Sequence, residues 1–470
     1  MTSETDPLIV QIQPDHDQSS PTESKSKWKP SKSIILLTFV SVAITLALFF
    51  AFRPRESSFE RYSVVIDAGS SGTRAHVFRY WLESGKPVFD FGKDNYAKES
   101  ENPGLSSYAD NPKGANVSVA ELVKFAKGRV PEGMWEKSDI RLMATAGLRL
   151  LNETVMEQIL EVTREVLRSS GFNFRDDWAW VITGSDEGKY SWVVANYALG
   201  SLGGEPLQTT GIVELGGASA QVTFVSSQPM PEDLSQTITY GNVAYSLYSH
   251  SFLHLGQNAA HDKLWEALHN SAAHSTEDEI VTDPCTPEGY IFVSKRQNST
   301  EESRLTASLQ AAGNFTECRT ATLAMLHEGK ENCASEHCSI GSTFTPDLQG
   351  RFLATASFYY TSKFFELHEK DWLSEMIPAG KRFCGENWSE LKVQYPTEQD
   401  KHLLNYCFSS AYIISMLHDS LGFALDDGRI EFASKAGAKD IPLDWALGAF
   451  ILETSIATLD YSGKSRKMLG

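Results

Sequence analysis

The chain has 470 residues, enough for two or three domains, and its 41% hydrophobic and 22% charged content is that of a folded protein. This composition excludes a wholly disordered, collagen-like or multi-spanning membrane protein. The formal net charge of −18 argues against a nucleic-acid-binding protein, because contact with a phosphate backbone requires clustered lysine and arginine. Any phosphate-bearing ligand therefore has to be held by a local set of donors or cations.

The N-terminal segment differs in character from the rest of the chain. Residues 1–33 are polar and lack an apolar period, which predicts a disordered cytoplasmic tail. Residues 34–52 contain no charged side chain and reach about 28 Å as a helix, the thickness of a hydrocarbon core. We therefore predict one transmembrane helix, a signal anchor, at residues 34–52. A cleaved signal peptide is the alternative, although the apolar run is long for one and lacks a clear cleavage site.

Two groups of residues predict that the rest of the chain lies outside the cytosol. The six cysteines are clustered, and their even number predicts three disulfides, whereas reduced thiols would be expected in the cytosol. The simplest pairing joins neighbours in sequence: Cys285 with Cys318, Cys333 with Cys338, and Cys384 with Cys407. Five sequons predict N-glycosylation, at Asn116, Asn152, Asn298, Asn314 and Asn387. Together with the anchor, these features predict a single-pass type II membrane protein with a lumenal or extracellular globular part.

One pattern of strand, carboxylate, glycine-rich turn and strand occurs twice. In the first copy, residues 61–67 (RYSVVID) precede the turn AGSSGT and a second strand at 74–80. In the second copy, residues 210–214 (TGIVE) precede the turn LGGASA and a strand at 221–225. The repetition indicates an internal duplication in which Asp67 and Glu214 occupy equivalent positions.

The segment between the two copies alternates strands and helices. Residues 140–144 and 178–183 predict strands, and the helix between them, capped by Asn152, makes a β–α–β unit with parallel strands. A second helix is predicted to begin at the N-cap Ser185, to carry Glu187 in its first turn and to end near residue 199.

The remainder of the chain divides into a polar segment and a C-terminal helix. Residues 256–350 are rich in Asn, Ser, Glu and Cys, and predict a loop-rich insertion tied by disulfides. Residues 445–459 predict a helix, and Glu453 within its apolar run argues against a second membrane span.

The chemistry that these residue types support lies in the two glycine-rich turns. Consecutive backbone N–H groups of such a turn converge on an anion, and the hydroxyls of Ser70, Ser71 and Thr73 add donors. A carboxylate before each turn can hold the water shell of a divalent cation that bridges phosphates. A single turn of this kind is more simply an ordinary hairpin, but the paired occurrence favours a phosphate clamp.

Other nucleotide and hydrolase motifs do not fit. No Walker A sequence and no HExxH is present, and residues 217–221 (GASAQ) lack the final glycine of a serine-hydrolase elbow. Glu187 also has a purely structural interpretation, since the helix dipole favours a carboxylate in a first turn. Residues 145–149 (TAGLR) also have a purely structural interpretation, as a connection between a strand and a helix.

Five segments, in order, resemble the apyrase regions of the nucleoside triphosphate diphosphohydrolases: VVIDAGSSGTR, ATAGLRLL, GSDEGKYSWVVANYALG, VELGGASAQVTF and DWALGAF. The resemblance extends over about residues 60–460. It implies an α/β fold of two RNase H-like (actin-like) domains with mixed sheets flanked by helices. Domain I would comprise residues 60–184 plus 436–470, and domain II residues 185–435.

The resemblance also implies a reaction and roles for individual residues. The reaction is hydrolysis of nucleoside tri- or diphosphates to lower phosphates and inorganic phosphate, with Ca²⁺ or Mg²⁺, and Mn²⁺ as a further candidate. Glu187 would activate the water, with Ser219 and Gln221 positioning it, while Asp67 and Glu214 would hold the hydrated cation. Phosphate and nucleotide contacts would come from Ser70, Ser71, Gly72, Thr73, Arg74, Thr145, Arg149, Gly216, Gly217, Ala218, Tyr359 (or Tyr360) and Trp445.

One departure from the family pattern leaves alternatives open. The family usually has Asp where this chain has Glu214, and a displacement of ~1 Å can cost ~10²-fold in rate. A catalytically weakened nucleotide-binding or interaction protein is therefore the main alternative, and an actin-like kinase or transferase is a third. A single N-terminal anchor resembles Golgi and plant members of the family, so a Golgi or other secretory membrane is favoured over the plasma membrane.

Overall fold

The computed structural model describes residues 59–83, 86–274, 280–292, 309–334 and 337–468, with no side-chain detail for 272–274 and 457–468. The predicted tail at residues 1–33, the predicted anchor at 34–52 and the sequon at Asn298 lie outside these residues. Among the helices of the described ranges, none has the length and apolarity needed to cross a membrane.

The first sheet is mixed and carries the first glycine-rich turn. Its strands are ordered β3-β2-β1-β5-β6, with β4 also pairing to β2. β1 is antiparallel to β2 and parallel to β5, and β5 is parallel to β6. The strands are β1 (Phe59–Ala68), β2 (Thr73–Glu83), β3 (Lys86–Phe89), β4 (Tyr96–Glu101), β5 (Asp139–Ala144) and β6 (Ala179–Val181).

The helices of this first part follow the predicted pattern with one error. They are α1 (Ala115–Arg129), α2 (Ala146–Arg149), α3 (Glu153–Arg168) and α4 (Gly184–Leu199). The Asn152 side chain caps α3, and α3 connects the parallel strands β5 and β6, which confirms the β–α–β unit. The predicted cap of α4 was wrong: Thr183 is the N-cap, in a capping box with Asp186. Ser185 instead donates from Oγ to the carbonyl oxygen of Ser249 at 2.8 Å.

The second sheet is also mixed and carries the second glycine-rich turn. Its order is β16-β15-β7-β8-β10-β9, with β15 parallel to both β7 and β16, and with β8 antiparallel to β7 and β10. The strands are β7 (Gly211–Leu215), β8 (Ser219–Val225), β9 (Ser235–Tyr240), β10 (Val243–Leu253), β15 (Phe352–Ala356) and β16 (Ile430–Phe432).

The segment predicted as a loop-rich insertion contains more regular structure than expected. It holds α5 (Gln257–His274), β11 (Val281–Asp283), β12 (Leu309–Ala311), α6 (Phe315–Leu326), β13 (Cys338–Ile340) and β14 (Thr343–Phe344). The three predicted disulfides are confirmed, with the predicted pairing: Cys285–Cys318, Cys333–Cys338 and Cys384–Cys407. The remaining elements are α7 (Ser357–Phe364), α8 (Trp372–Cys384), α9 (Trp388–Gln394), α10 (Asp400–Ile414), β17 (Lys435–Ala436), β18 (Ile441–Pro442) and α11 (Trp445–Met468).

Helices α4 and α11 join the two sheets through a shared core. Buried side chains of both helices, such as Trp192 and Phe450, form one cluster with Val65 of the first sheet and Tyr245 of the second. The ring of Phe450 stacks on Phe78 of β2, with centroids 4.1 Å apart. The C-terminal helix thus returns to the first sheet. The described residues, from Phe59 onward, form one compact unit, and their assignment to two domains stays a prediction.

Candidate active site

The two glycine-rich hairpins have the same register. In the first, Asp67 of β1 lies opposite Arg74 of β2, and the next pair closes the turn. In the second, Glu214 of β7 lies opposite Gln221 of β8, and again the next pair closes the turn. The structure therefore places the two carboxylates at equivalent positions, as the duplicated pattern predicts.

The loops of the two hairpins face each other. A Cβ added to Gly217 would lie 2.9 Å from Oγ of Ser70, and a Cβ added to Gly147 would lie 2.8 Å from Cα of the same serine. Gly72 is equally confined, because its added Cβ would lie 2.6 Å from Oδ1 of Asn102. Three separate glycines are thus required by close approach around Ser70 and its loop. The two loops therefore approach each other closely, as the predicted clamp requires.

Glu187 lies at the centre of a polar network. The capping box starts α4 so that Glu187 falls in its first turn, where the side chain is buried. Oε2 of Glu187 accepts hydrogen bonds from Arg149 at 2.6 Å and from Gln221 at 3.4 Å. Nε2 of Gln221 also donates to Ser219 at 2.7 Å and to Ser251 at 3.0 Å. The predicted residues Glu187, Ser219, Gln221 and Arg149 therefore form one connected group, and Ser251 is an addition.

Burial makes Glu187 a weak acid. Desolvation raises the pKa of Glu187 to about 8, against the opposing charge of Arg149 and with help from the negative charges of Glu214 and Asp67. A carboxyl group whose pKa is close to neutral pH can both release and accept a proton there. This is the property that general acid–base catalysis requires.

The two hairpin carboxylates are buried in the same region. Arg74 donates from Nη1 to Oδ2 of Asp67 at 3.1 Å, while Oδ1 of Asp67 is buried without a partner. Burial raises the pKa of Asp67 to about 6, although Arg74 opposes this. Ser191 donates from Oγ to Oε2 of Glu214 at 2.5 Å. Burial raises the pKa of Glu214 to about 7, although this hydrogen bond opposes it.

Two further residues, missed by the sequence analysis, complete the site. Asp444 precedes α11 and accepts a hydrogen bond on Oδ2 from Lys98 at 2.8 Å. His76 of β2 is fully buried, and its Nε2 has no hydrogen-bond partner and lies 3.8 Å from Oδ1 of Asp444. Burial alone would raise the pKa of Asp444. The neighbouring His76 and Lys98 oppose this and hold the pKa well below its usual range. Asp444 lies in the segment DWALGAF and so had a sequence signal, whereas His76 had none.

These residues fit a divalent cation. Asp67, His76 and Asp444 each offer a ligand atom, and the three atoms lie within 4.8 Å of one another. Two of the three residues carry an unpartnered buried atom, Oδ1 of Asp67 and Nε2 of His76. The negative charge of Asp67 also helps to raise the pKa of Glu214 and of Glu187, so these carboxylates lie close enough to repel one another. Clustered carboxylate oxygens are typical ligands for Mg²⁺ or Ca²⁺.

The other predicted site residues divide into two groups. Thr73 and Thr145 are buried beside the first loop, Ser71 is exposed, and the second loop supplies Gly216, Gly217 and Ala218. The aromatic residues are less uniform. Tyr360 is 66% exposed, whereas Tyr359 packs against Phe432 with centroids 6.1 Å apart. Trp445 is buried in the core shared by the two sheets and stacks on Tyr190 at 6.3 Å, so it is not brought to the loops.

A separate cavity of about 710 Å³ lies beside β10, between α5 and the β13–β14 hairpin. It meets the polar network only through Ser251. None of the buried, unpartnered polar atoms of the described residues lines this cavity, whereas Asp67, Thr73, His76 and Arg149 each contribute one near the glycine loops. Buried polar atoms without a partner therefore lie near the glycine loops, and among the described residues none lines this cavity.

Comparison with known proteins identifies the family of the chain. Residues 55–467 match the GDA1/CD39 (nucleoside phosphatase) family. The chain is 66% identical to the Arabidopsis thaliana protein named "Probable apyrase 5", with 99% of each chain covered. It is 31% identical to ectonucleoside triphosphate diphosphohydrolase 1 of Rattus norvegicus, covering 92% of this chain and 89% of the relative. A solved nucleoside triphosphate hydrolase from Neospora caninum shares the fold, with a TM-score of 0.63 at 15% identity over 90% of this chain and 97% of its own.

Proposed function

Because the chain belongs to the GDA1/CD39 (nucleoside phosphatase) family, we propose that it hydrolyses nucleoside tri- and diphosphates to lower phosphates and inorganic phosphate. The observation that carries the proposal is the pair of facing glycine loops with Glu187 beside them. The loops supply a clamp for phosphate groups, and Glu187 supplies a buried carboxyl group that can take a proton from water. The overall negative charge of the chain repels an anionic substrate, so these local donors are needed to bind the substrate.

The first loop binds the phosphate groups. The turn between β1 and β2 is glycine-rich, so its backbone N–H groups can converge on an anion, and the hydroxyls of Ser70, Ser71 and Thr73 add donors. Oγ1 of Thr73 is buried and has no partner, as expected of a donor reserved for a ligand. The second loop approaches from the opposite side at Gly217 and closes the clamp.

The cation has its own set of residues. Members of the family depend on a divalent cation in general. In this chain Asp67, Glu214, His76 and Asp444 would hold it, as Mg²⁺ or Ca²⁺, with Mn²⁺ a further candidate. When bound, it neutralises phosphate charge, which is a main requirement of phosphoryl transfer.

Glu187 acts as the general base. Arg149 and Gln221 both contact Oε2, which holds the carboxylate in one orientation and leaves Oε1 to accept a proton from the attacking water. Ser219 and Gln221, joined by a 2.7 Å hydrogen bond, orient that water. Tyr360, exposed near the first loop's Arg74, is the better of the two predicted tyrosines for stacking on a base.

The test is Glu187→Gln in the full-length chain. Phosphate release is expected to fall by about 10²–10⁴-fold, the usual contribution of a general base, while a non-hydrolysable nucleotide still binds in calorimetry. Glu161→Gln, at a half-exposed position of α3 where the side chain also pairs with an arginine, is the matched control and should keep the wild-type rate. A Glu187→Gln enzyme that turns over at the wild-type rate would disprove the role of Glu187.

Glu214 motivates a second candidate, a catalytically weakened nucleotide-binding or interaction protein. Its carboxylate is longer than that of Asp67 at the equivalent position, so the cation could be displaced. A wild-type chain that binds nucleotide but releases no phosphate with Mg²⁺, Ca²⁺ or Mn²⁺ would support this candidate. Transfer of phosphate to an acceptor would instead support a kinase or transferase.

We also propose that the globular part faces the lumen of the Golgi or another secretory compartment, held by the predicted anchor at residues 34–52. Three disulfides support an oxidising compartment. At Asn152, Asn314 and Asn387, Oδ1 caps a helix, which leaves Nδ2 as the attachment atom for a glycan. Asn116 is exposed on α1. A loss of apparent mass on endoglycosidase treatment of the expressed protein would support glycosylation, and an unchanged mass would contradict it.

A further inference from the structure

Glu214 differs from the other carboxylates of the site in how its charge is balanced. Three of the four form an ion pair with an arginine or lysine: Asp67 with Arg74, Glu187 with Arg149, and Asp444 with Lys98. Within the described residues Glu214 forms no ion pair, and its hydrogen bond comes from the neutral hydroxyl of Ser191. A bound cation therefore does not compete with an arginine or lysine ion pair for this carboxylate.

The hydroxyl that holds Glu214 comes from the same helix as the proposed base. Ser191 lies four residues after Glu187 on α4, so the two side chains share one face of the helix. Ser191 is 6% exposed, and a buried helical serine ordinarily donates back to the carbonyl oxygen four residues earlier. Here it donates across to β7 at 2.5 Å instead.

The length of Glu214 makes this contact possible. Asp67, at the equivalent position of the first hairpin, pairs with Arg74 on the opposite strand, within its own hairpin. Glu214 has one more methylene group and reaches past its hairpin to the helix. The longer side chain of Glu214 therefore has a specific hydrogen-bond partner, Ser191.

We propose that Ser191 is a positioning residue that fixes Oε2 of Glu214 and thereby aims Oε1 at the divalent cation of the site. This inference rests on the proposed function, because it assigns a role within the same metal site. Ser191 and Glu214 act as a matched pair: the hydroxyl is useful only with the longer carboxylate, and the longer carboxylate is held in place only with the hydroxyl.

Removal of the hydroxyl should weaken cation binding. In Ser191→Ala, Glu214 loses its hydrogen bond and is repelled by the negative charge of Asp67 and Asp444. Loss of such a partner of a metal ligand typically costs about 10–100-fold in metal affinity. In Glu214→Asp, the shorter carboxylate cannot reach Ser191, so a second change at Ser191 should add little, which a double-mutant cycle measures.

The experiment uses four full-length proteins: wild type, Ser191→Ala, Glu214→Asp and the double variant. Each is titrated with MnCl₂ in the presence of a non-hydrolysable nucleoside triphosphate analogue, and free Mn²⁺ is followed by electron paramagnetic resonance. The Mn²⁺ dissociation constant is expected to rise by about tenfold or more in Ser191→Ala. The double variant should bind Mn²⁺ as Glu214→Asp does.

Ser409→Ala is the matched control. Ser409 is also a buried helical serine, in α10, but it donates within its own helix to the carbonyl oxygen of Asn405 at 2.7 Å. Its loss should leave the Mn²⁺ dissociation constant unchanged. If Ser191→Ala does not fold, Glu214→Asp removes the same hydrogen bond from the other side and should show a loss of similar size.

The outcomes separate this inference from the proposed function. Unchanged Mn²⁺ affinity in Ser191→Ala overturns the inference. An equal loss from Ser191→Ala in the wild-type and the Glu214→Asp backgrounds overturns it as well. If the wild type still binds Mn²⁺ and hydrolyses nucleotides in either case, the proposed function stands. A wild type that neither binds Mn²⁺ nor hydrolyses nucleotides overturns both.

Discussion

The two glycine-rich hairpins share a backbone register and differ in the connections of their side chains. In the first hairpin the residue opposite the carboxylate is Arg74, which forms an ion pair with Asp67. In the second it is Gln221, which turns to Glu187 and leaves Glu214 to a hydroxyl on α4. Residues directly opposite each other in an antiparallel pair lie on the same face of the sheet. The presence of Gln221 in place of an arginine therefore changes which side chains the neighbouring carboxylate contacts. The duplicated backbone thus supports two different tasks.

The glycines of each loop match this division. A Cβ on Gly69 would lie 2.9 Å from Nη1 of Arg74, so this glycine makes room for the arginine that pairs with Asp67. In the second loop, a Cβ on Gly217 would instead meet Ser70 of the first. The first loop is therefore shaped around its own ion pair, and the second around its partner loop.

The largest expected effect comes from removing either carboxylate charge. Asp67→Asn and Glu214→Gln each delete one negative charge from the cation site, and each should slow phosphate release by about 10²-fold or more. The measurement is turnover at saturating nucleotide with Mg²⁺, Ca²⁺ and Mn²⁺ in turn. Both hairpins are expected to respond, since both are proposed to hold the cation.

A difference between the two variants would break this symmetry. If phosphate release is slowed in Asp67→Asn and not in Glu214→Gln, Glu214 does not bind the cation. The cation would then be held by Asp67, His76 and Asp444, and the second hairpin would contribute only Gln221 to the site. Asp177→Asn, an exposed carboxylate outside the site, controls for the loss of a charge in general.

The hairpins were predictable from sequence because each is a local pattern, a strand, a carboxylate and a glycine-rich turn within a few residues. The disulfide pairing followed for a similar reason, since each bridge joins cysteines that are neighbours in sequence. The cap of α4 was wrong because Thr183 and Ser185 are both good caps, and only Asp186 three residues after Thr183 distinguishes them.

The rest of the site depends on tertiary structure. Asp444 reaches the first sheet only because α11 packs back against it, and spacing along the chain does not encode that. His76 looks like any inward-facing strand residue until its neighbours are known. Ser191 lies one helical turn from Glu187, but its contact with Glu214 depends on how α4 packs on β7.

A smaller effect is expected where the two loops meet. Gly217→Ala places a methyl group 2.9 Å from Oγ of Ser70 and 3.2 Å from Nδ2 of Asn258, both ends of side chains that can move. The fold should tolerate it, but the gap for phosphate narrows. KM should therefore rise by roughly tenfold, a loss of about 1.4 kcal/mol in binding, while the unfolding temperature stays close to wild type because both neighbouring side chains can move.

Two further variants test this prediction. Adding Asn258→Ala to Gly217→Ala removes the second side chain that the new methyl group meets, one with no assigned phosphate contact, and should recover part of the lost affinity. Gly128→Ala is the control, because its Cβ meets nothing within 4 Å. A normal KM in Gly217→Ala would mean that the loops do not close on the substrate together.

The smallest effect is on the stability of the metal-free protein between pH 6.5 and 8.5. Burial raises the pKa of Glu214 to about 7 and that of Glu187 to about 8, so their contribution to the free energy of unfolding is complete at low pH and is lost as the pH rises through these values. The unfolding temperature should therefore fall by about 1–2 °C across this range, for about 1–2 kcal/mol lost.

The two hairpins should again differ in this measurement. Glu214→Gln removes a group that titrates inside the window and should flatten the fall. Asp67→Asn should keep most of it, because the pKa of Asp67 is raised only to about 6 and titrates largely below the window. His76 contributes little, since burial lowers its pKa to about 4 and the imidazole is largely neutral in both the folded and the unfolded chain above pH 6.5. If the unfolding temperature falls equally with pH in Glu214→Gln and in the wild type, Glu214 does not titrate in the folded protein between pH 6.5 and 8.5. The difference between the two hairpins would then rest on Gln221 alone.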